Sequence, residues 1–233
     1  MTDQTPRPLK IDVLMLATPN IDYYANETKR NWRAYCERHG YNFIVCDKQL
    51  VPDMHINWSM IEMMRRRFGE SDADWLVKVD ADSIIIRPEF RFEDILERYP
   101  AKDIYFPADI STYLGLALPL NLRGALKYGT LFLPNAGFCI IRNNKPGEEF
   151  FTRWLELARG ELSHLADRHP RNQNVLWEGL FRQYRDHIQL LKKEILRVGA
   201  APLLEKFLIS TDDAFVLHDK QLTLKSADLG QNR

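Results

Sequence analysis

Apolar runs and helical stripes alternate along this chain from Lys10 to about Tyr184. Runs of β-branched and other apolar residues predict strands, whereas apolar residues three or four positions apart predict helices that bury one face. The predicted strands cover residues 10–17, 41–46, 75–79, 84–86, 103–107, 137–142 and 215–217. The predicted helices cover residues 24–39, 54–68, 92–99, a segment through 150–158, and 174–184.

This order of elements predicts an α/β fold with a mostly parallel central sheet flanked by helices. We expect one domain over residues 10–225, a disordered tail over 1–9 and a frayed tail over 226–233. Ligands of such sheets bind beyond the carboxyl ends of the strands, so the residues that follow each strand are the candidates for function. The weakly periodic stretch 110–134 is expected to be a binding loop or lid.

The composition is that of a globular protein, with 45% hydrophobic and 27% charged residues among 233. Lys and Arg total 32, as do Asp and Glu, so the formal net charge is zero and binding to nucleic acid is not expected. Neither a secretion signal nor an apolar membrane span is evident, which predicts a cytoplasmic protein. Three scattered cysteines, Cys36, Cys46 and Cys139, predict free buried thiols.

Two aspartates, Asp80 and Asp82, follow directly on the predicted strand 75–79. Residues two apart in an extended chain point to the same side, so their carboxylates can converge on one ligand. Two carboxylates at such a short distance repel each other unless a cation lies between them. Oxygen ligands of this kind suit Mg²⁺ or Mn²⁺. The alternatives are a chance pair in a surface turn and the nucleophile motif of haloacid dehalogenase phosphatases. In that motif Thr or Val would replace Ile84, and the strand would be the first in the domain rather than lie about eighty residues into the chain.

Polar residues also occur around the later predicted elements. Asn135, Ala136 and Gly137 precede the strand 137–142, where glycine permits close approach of a ligand and asparagine offers donors and an acceptor. Asn172 and Gln173 precede the predicted helix 174–184, where amides can bind sugar hydroxyls or phosphate. An ordinary turn at 135–137 and a simple asparagine helix cap at Asn172 explain these residues equally well.

The two ends of the chain supply further candidates. His218 ends the last predicted strand and would suit a metal that two carboxylates already hold, although most lone histidines are packed or solvated. Lys220 and Lys225 can neutralise a diphosphate, unless they are merely solvated. After the first strand come Thr18 and Tyr24, of which the tyrosine either stacks on a nucleotide base or packs at the start of a helix.

Taken in this order, these segments resemble retaining glycosyltransferases of the A-type fold. The resemblance is to the galactosyl- and xylosyltransferase group related to yeast mannan-branching enzymes, to bacterial lipooligosaccharide galactosyltransferases and to glycogenin. It extends over about residues 10–225. The segments that carry it are 17–41, 75–82, 134–142 with Trp154, 172–173 and His218.

The resemblance implies transfer of a hexose or pentose from a nucleotide sugar, UDP-linked by preference, to a hydroxyl of a carbohydrate or glycolipid acceptor. Asp80 and Asp82 would bind Mn²⁺ or Mg²⁺ together with the donor diphosphate. His218 would be the third metal ligand. A lipid-linked acceptor would require peripheral docking at a membrane.

The resemblance also implies roles for the remaining candidates. Asn135, Ala136 and Gly137 would contact the donor sugar, Gln173 would lie beneath its anomeric carbon, and Thr18 would border the nucleotide. Two positions depart from the pattern: Asn172 replaces a frequent aspartate, and Asp219 replaces the usual glycine before Lys220, so that either Lys220 or Lys225 can be the phosphate ligand. A non-catalytic nucleotide-sugar-binding protein is the alternative on the same scaffold, and a phosphatase is the alternative chemistry.

Overall fold

The structure is a computed structural model that describes residues 7–110, 127–130, 132–191, 194–197 and 214–218. Several sequence predictions lie outside these residues. They are the roles of Lys220 and Lys225, most of the predicted lid 110–134, the first six residues of the N-terminal tail and the tail 226–233.

Ten strands and six α-helices form the described part of the chain. The strands are β1 Ile11–Leu16, β2 Asn42–Cys46, β3 Trp75–Val79, β4 Ser83–Ile85, β5 Ile104–Ile110, β6 Phe132–Pro134, β7 Phe138–Arg142, β8 Ile188–Leu191, β9 Ile195–Arg197 and β10 Val216–His218. The helices are α1 Asp22–His39, α2 Trp58–Glu70, α3 Phe92–Arg98, α4 Lys145–Arg159, α5 Ser163–Ala166 and α6 Asn172–Val175. Short 3₁₀ turns lie at Pro19–Ile21 and Arg185–His187, and a π-helical turn lies at Leu176–Leu180.

The central sheet has seven strands in the order β2-β1-β3-β7-β5-β6, with β8 also paired to β5. Strands β1, β2, β3, β5 and β8 run in one direction, while β6 and β7 run the opposite way. The predicted α/β fold with a mostly parallel sheet is therefore confirmed. A second sheet of three strands, β4-β10-β9, brings the last described strand beside β4.

Alternate residues of the central strands face two separate cores. Val77 and Val79 of β3 pack on one face against helices α1 and α3, whereas Leu76 packs on the other face with helices α2 and α4. Buried aromatic residues fill both cores, with Trp32 on the α1 side and Trp58 and Trp154 on the α2–α4 side. Since both faces are covered, the central strands read as continuous apolar runs, and substrate has access only at the strand ends.

Helix ends follow the local chemistry of the chain. Gly40 has φ 73° and ends α1 in the left-handed conformation that glycine adopts without steric cost. The side chain of Asn144 accepts a hydrogen bond from Gly147 N at 3.0 Å and so caps α4. No helix in the described ranges combines the length and the apolar character that crossing a bilayer requires.

Several elements differ from the sequence prediction. Helix α2 begins at Trp58 rather than at Met54, because turn hydrogen bonds such as Trp58 N to His55 O occupy the preceding residues. The helix predicted over 174–184 is instead α6 followed by the π-helical turn, in which Phe181 N bonds to Leu176 O at 2.9 Å. Strands that the apolar pattern did not predict are β6, β8 and β9, each of three or four residues. Cys36 and Cys139 are free and buried as expected, whereas Cys46 is free but only partly buried.

Candidate active site

A tight turn carries the two aspartates off the end of β3. Ser83 N donates to Asp80 O at 3.2 Å, and Ser83 Oγ donates to the same carbonyl at 2.6 Å. Asp80 N donates to Gly137 O at 2.9 Å, which ties the turn to the start of β7. Because Ala81 is buried between them, the turn presents the two carboxylates together towards one cavity.

His218 comes to this turn from the far end of the chain. Strand β10 pairs with β4 so that His218 lies opposite Ser83. His218 Nε2 lies 3.0 Å from Asp82 Oδ1 and 3.8 Å from Asp80 Oδ2. One ligand atom from each of the three residues lies within 4.8 Å of the other two. The three residues that the sequence analysis assigned to a metal therefore converge.

The donor set of this group fits a divalent cation such as Mn²⁺ or Mg²⁺. Carboxylate oxygens are the ligands these ions prefer, and Mn²⁺ also accepts an imidazole nitrogen. Burial opposes ionisation of Asp82, but the hydrogen bond and positive charge of His218 outweigh burial and keep the pKa of Asp82 below its usual value. The carboxylate is thus held in the ionised form that a metal requires.

Lys78 is a site residue that the sequence analysis missed. Its side chain is 1% exposed, and its ammonium donates to Asp80 Oδ1 at 2.6 Å and to Ala136 O at 2.5 Å. Strand alternation is the signal that would have revealed it, because Lys78 lies two residues before Asp80 and shares its side of the chain. A buried ammonium requires such partners to offset the loss of hydration.

Gly137 leaves the space in which the His218 ring lies. A Cβ atom at this position would lie 2.2 Å from His218 Cε1 and 2.8 Å from His218 Nδ1. Real Cβ contacts are never that short, so a larger residue would displace the imidazole from the two aspartates. Glycine is therefore needed at position 137 because the His218 ring lies against it, in addition to any close approach by a ligand.

The segment from Asn135 to Gly137 connects the aspartates to Gln173. Asn135 Oδ1 accepts from Gly137 N at 2.8 Å, which is the local turn that the sequence analysis gave as the simple explanation. Ala136 N donates to Gln173 Oε1 at 2.9 Å, while Ala136 O accepts from Lys78. The backbone N–H of Ala136 thus holds Gln173, and its C=O holds the lysine that bonds to Asp80.

Arg171 and Asn172 form the adjacent wall. Helix α6 begins at Asn172 with Arg171 at the cap position, so the alternative of an asparagine cap at Asn172 is wrong. Asn172 O accepts from the buried Trp154 Nε1 at 2.9 Å, which fixes this wall to helix α4. Arg171 was not predicted as a site residue, and its backbone has φ 46°, a left-handed conformation rare for residues other than glycine.

A cavity of about 470 Å³ brings most of these groups together, while Lys78 and Trp154 support its wall from behind. Tyr24 lies in its wall close to the aspartates, where burial and the charges of Asp82, Tyr23 and Asp80 raise the pKa of Tyr24 to about 12. Thr18 Oγ1 donates to Asn20 Oδ1 at 2.6 Å at the same end. The predicted site residues that line this one cavity are Thr18, Asp80, Asp82, Asn135, Ala136, Gly137, Asn172, Gln173 and His218.

Known proteins with similar sequences and structures belong to one class of enzyme. Residues 11–101 match the galactosyl transferase GMA12/MNN10 family. A glycosyltransferase involved in glycosylation of the major capsid of PBCV-1 superposes over 94% of this chain and 99% of its own, with a TM-score of 0.67 and 16% identity. The chain has a glycosyltransferase fold.

Further similarities agree with this glycosyltransferase fold. The galactosyltransferase LgtC, solved with donor and acceptor sugar analogues, matches over 95% of this chain and 94% of its own, with a TM-score of 0.57 and 14% identity. An uncharacterized α-1,2-galactosyltransferase of Schizosaccharomyces pombe is 22% identical over 71% of this chain. The matched region is 53% of that yeast protein, so the chain spans about half the length of this relative.

Proposed function

We propose that this chain is a divalent-metal-dependent glycosyltransferase that uses a nucleoside diphosphate sugar. The observation that carries the proposal is the convergence of Asp80, Asp82 and His218 in one cavity with Gln173. We further propose that UDP is the nucleotide, that Mn²⁺ is the preferred ion and that transfer retains the anomeric configuration. The acceptor is a hydroxyl of a carbohydrate or glycolipid.

Asp80, Asp82 and His218 are assigned to the diphosphate end of the donor. A divalent ion held by these residues would neutralise charge on the departing nucleoside diphosphate. Lys78 holds Asp80 by its Oδ1 atom, and the Oδ2 atom of Asp80 faces His218. The two aspartates and the histidine therefore need little rearrangement to bind an ion, which reduces the cost of binding.

Thr18 and Tyr24 are assigned to the nucleoside. They lie where β1 ends and α1 begins, and Tyr24 is close enough to Asp80 and Asp82 for their charges to raise its pKa. A nucleoside at this end would place its diphosphate beside the aspartates. The Tyr24 hydroxyl is protonated at neutral pH and can donate a hydrogen bond to such a ligand.

Gln173 and Asn135 are assigned to the transferred sugar. Among the cavity-lining residues that the structure describes, the carboxylates are Asp80 and Asp82, both of which serve the metal. A carboxylate nucleophile for a covalent sugar intermediate is thus missing from this wall. We therefore propose that the acceptor hydroxyl attacks from the face the nucleotide leaves, with the Gln173 amide beneath the ring and held there by Ala136 N.

Other parts of the proposal concern residues outside the described ranges. Lys220 or Lys225 would add positive charge near the diphosphate, and the stretch 110–134 would cover the donor and exclude water. Near the described end of this stretch, the hydroxyl of Tyr128 donates to Glu178 Oε1 at 2.6 Å, and Glu178 lies in the π-helical turn that follows α6. A cytoplasmic location and peripheral docking at a membrane stay predictions.

A thermal-shift screen of nucleotide sugars, with Mn²⁺ and with EDTA, tests the proposal. We expect a UDP-sugar to raise the melting temperature in Mn²⁺, and we expect EDTA to remove most of that rise. The bound donor is then incubated with candidate acceptors, and release of UDP is measured. Binding without UDP release from any donor would favour a non-catalytic binding protein. Hydrolysis of an aryl phosphate in the absence of donor binding would favour the phosphatase.

A further inference from the structure

Arg171 is a cationic residue in the cavity wall whose side chain has a buried donor, Nε, with no hydrogen-bond partner among the residues that the structure describes. Within the described residues, no ion pair joins Arg171 to an acidic side chain. A buried donor without an acceptor destabilises the fold, and the cost is larger when the group is charged. Such a group indicates an anionic ligand.

The backbone holds Arg171 in its position at the wall. Its φ of 46° and ψ of −103° are unusual for an arginine, so the surrounding structure must stabilise them. Three backbone hydrogen bonds maintain the conformation: Arg171 N donates to Arg168 O at 2.5 Å, and Arg171 O accepts from Asn174 N at 3.0 Å and from Val175 N at 3.3 Å. The main chain of Arg171 is therefore held at the cavity wall by its neighbours.

The charges around Arg171 differ from those around the two aspartates. Burial lowers the pKa of His55, the positive charge of Arg171 lowers it further, and Asp167 acts in the opposite direction. Asn172, the next residue in the wall, carries an amide and no charge. This part of the cavity wall therefore carries the charge of Arg171, whereas the end assigned to the metal carries the carboxylates of Asp80 and Asp82.

We propose that Arg171 binds the carboxylate of an acidic sugar, a hexuronic acid, in the donor or in the acceptor. The inference rests on the proposed function and specifies its substrate class. Arg171 lies two residues from Gln173, at the end assigned to the sugar, whereas the diphosphate is assigned to Asp80, Asp82 and His218. A guanidinium matches a carboxylate with two parallel hydrogen bonds, and Asn172 adds no negative charge that would repel it.

Direct binding measurements test this assignment without relying on turnover. Isothermal titration with Mn²⁺ present compares UDP-glucuronic acid with UDP-glucose, and UDP-galacturonic acid with UDP-galactose. If the donor carries the carboxylate, the acidic member of one pair binds the unsubstituted protein more tightly than the neutral member. Arg171→Gln then weakens binding of the acidic member by about 10- to 100-fold. Arg168→Gln is the matched control, because Arg168 is exposed three residues earlier. This control should leave all affinities unchanged.

A second titration covers the acceptor. Methyl glucuronide and methyl glucoside are titrated into protein saturated with UDP and Mn²⁺. If the acceptor carries the carboxylate, only the glucuronide binds, and Arg171→Gln weakens its binding by the same factor, about 10- to 100-fold. Asn172→Asp is a second variant, since an aspartate there would pair with Arg171 and repel the carboxylate. It should reduce the preference for the acidic sugar even if Arg171→Gln fails to fold.

The outcomes separate the inference from the proposed function. Equal binding of acidic and neutral sugars in both titrations would overturn the inference and leave the glycosyltransferase proposal intact. The same holds if Arg171→Gln weakens UDP itself as much as the acidic sugar, because Arg171 would then bind phosphate. Failure of every nucleotide sugar to bind would overturn the proposed function and, with it, the inference.

Discussion

The Lys78 ammonium lies 2.6 Å from Oδ1 of Asp80, beneath the proposed metal site. Its positive charge opposes a divalent ion, while its second bond, to Ala136 O, supports the peptide that holds Gln173. Lys78 therefore has opposite effects on metal affinity and on the organisation of the sugar-binding wall. These two effects can be measured separately.

We expect Lys78→Met to bind Mn²⁺ about tenfold more tightly and to turn over roughly tenfold more slowly. The aspartates would lose a nearby competing cation, and Ala136 and Asp80 would lose a shared hydrogen-bond donor. Mn²⁺ titration by calorimetry and initial rates at saturating Mn²⁺ measure the two quantities. Lys145→Met, at a position whose side chain is 83% exposed, should change neither. Weaker Mn²⁺ binding in Lys78→Met would show that the lysine is needed to orient Asp80.

Gly137→Ala should disrupt the metal group through His218. The new methyl group would overlap the imidazole, so we expect a loss of about 1–3 kcal/mol in the free energy of unfolding and loss of Mn²⁺-dependent stabilisation. Gly69→Ala is the control, because a Cβ atom there meets nothing within 4 Å in helix α2. That change should stabilise the protein by about 0.5–1 kcal/mol. Denaturant unfolding with and without Mn²⁺ distinguishes the two variants, and unchanged Mn²⁺ dependence in Gly137→Ala would contradict the assignment of His218.

Asp82→Asn should abolish turnover while the fold is retained. The amide can still accept the hydrogen bond from His218, but it removes one of the two negative charges that the metal needs. We expect activity to fall by at least about 100-fold, a loss of roughly 3 kcal/mol in transition-state stabilisation, with the far-UV circular dichroism unchanged. Asp72→Asn, at an exposed position paired with Lys10, should keep full activity. Full activity of Asp82→Asn in Mn²⁺ would contradict the proposed mechanism.

Substitution of two buried tryptophans distinguishes an effect on stability from an effect on substrate binding. Trp154 Nε1 donates to Asn172 O at 2.9 Å in the cavity wall, and Trp58 Nε1 donates to Ala166 O at 3.1 Å in helix α5. We expect Trp154→Phe and Trp58→Phe each to cost about 1–3 kcal/mol, because each leaves a carbonyl without its donor and a gap in the core. Only Trp154→Phe should also weaken donor binding in calorimetry. Equal donor affinities in the two variants would show that the Trp154 bond has no effect on the wall.

The sequence predicted the parts of the fold that depend on local pattern. Strand β3 has the predicted bounds, Trp75–Val79, because both of its faces are buried and the whole segment is apolar except Lys78. Helix α1 ends at His39 as predicted, since Gly40 takes the left-handed conformation there. Strands β8 and β9 depend instead on pairing with distant strands, which three or four residues of sequence do not specify.

The residues of the candidate site also fall into those that the local sequence pattern predicts and those that depend on distant contacts. Asp80, Asp82 and Gly137 could be found because each adjoins a predicted strand, and the proximity of His218 to the aspartates followed from the family resemblance. Arg171 could not be found, because its left-handed backbone arises from hydrogen bonds to Arg168, Asn174 and Val175 rather than from its own preference. The roles of Lys220 and Lys225 stay predictions.

The wide separation of the proposed metal ligands along the chain has a consequence during synthesis. His218 follows Asp82 by 136 positions, so a ribosome that adds about 5–20 residues each second makes the histidine on the order of ten seconds later. Until then the nascent chain displays two aspartates that lack their nitrogen ligand. Completion of the three-residue group must await β10, and a translation product that stops before β10 would carry Asn135 and Gln173 without the third proposed metal ligand.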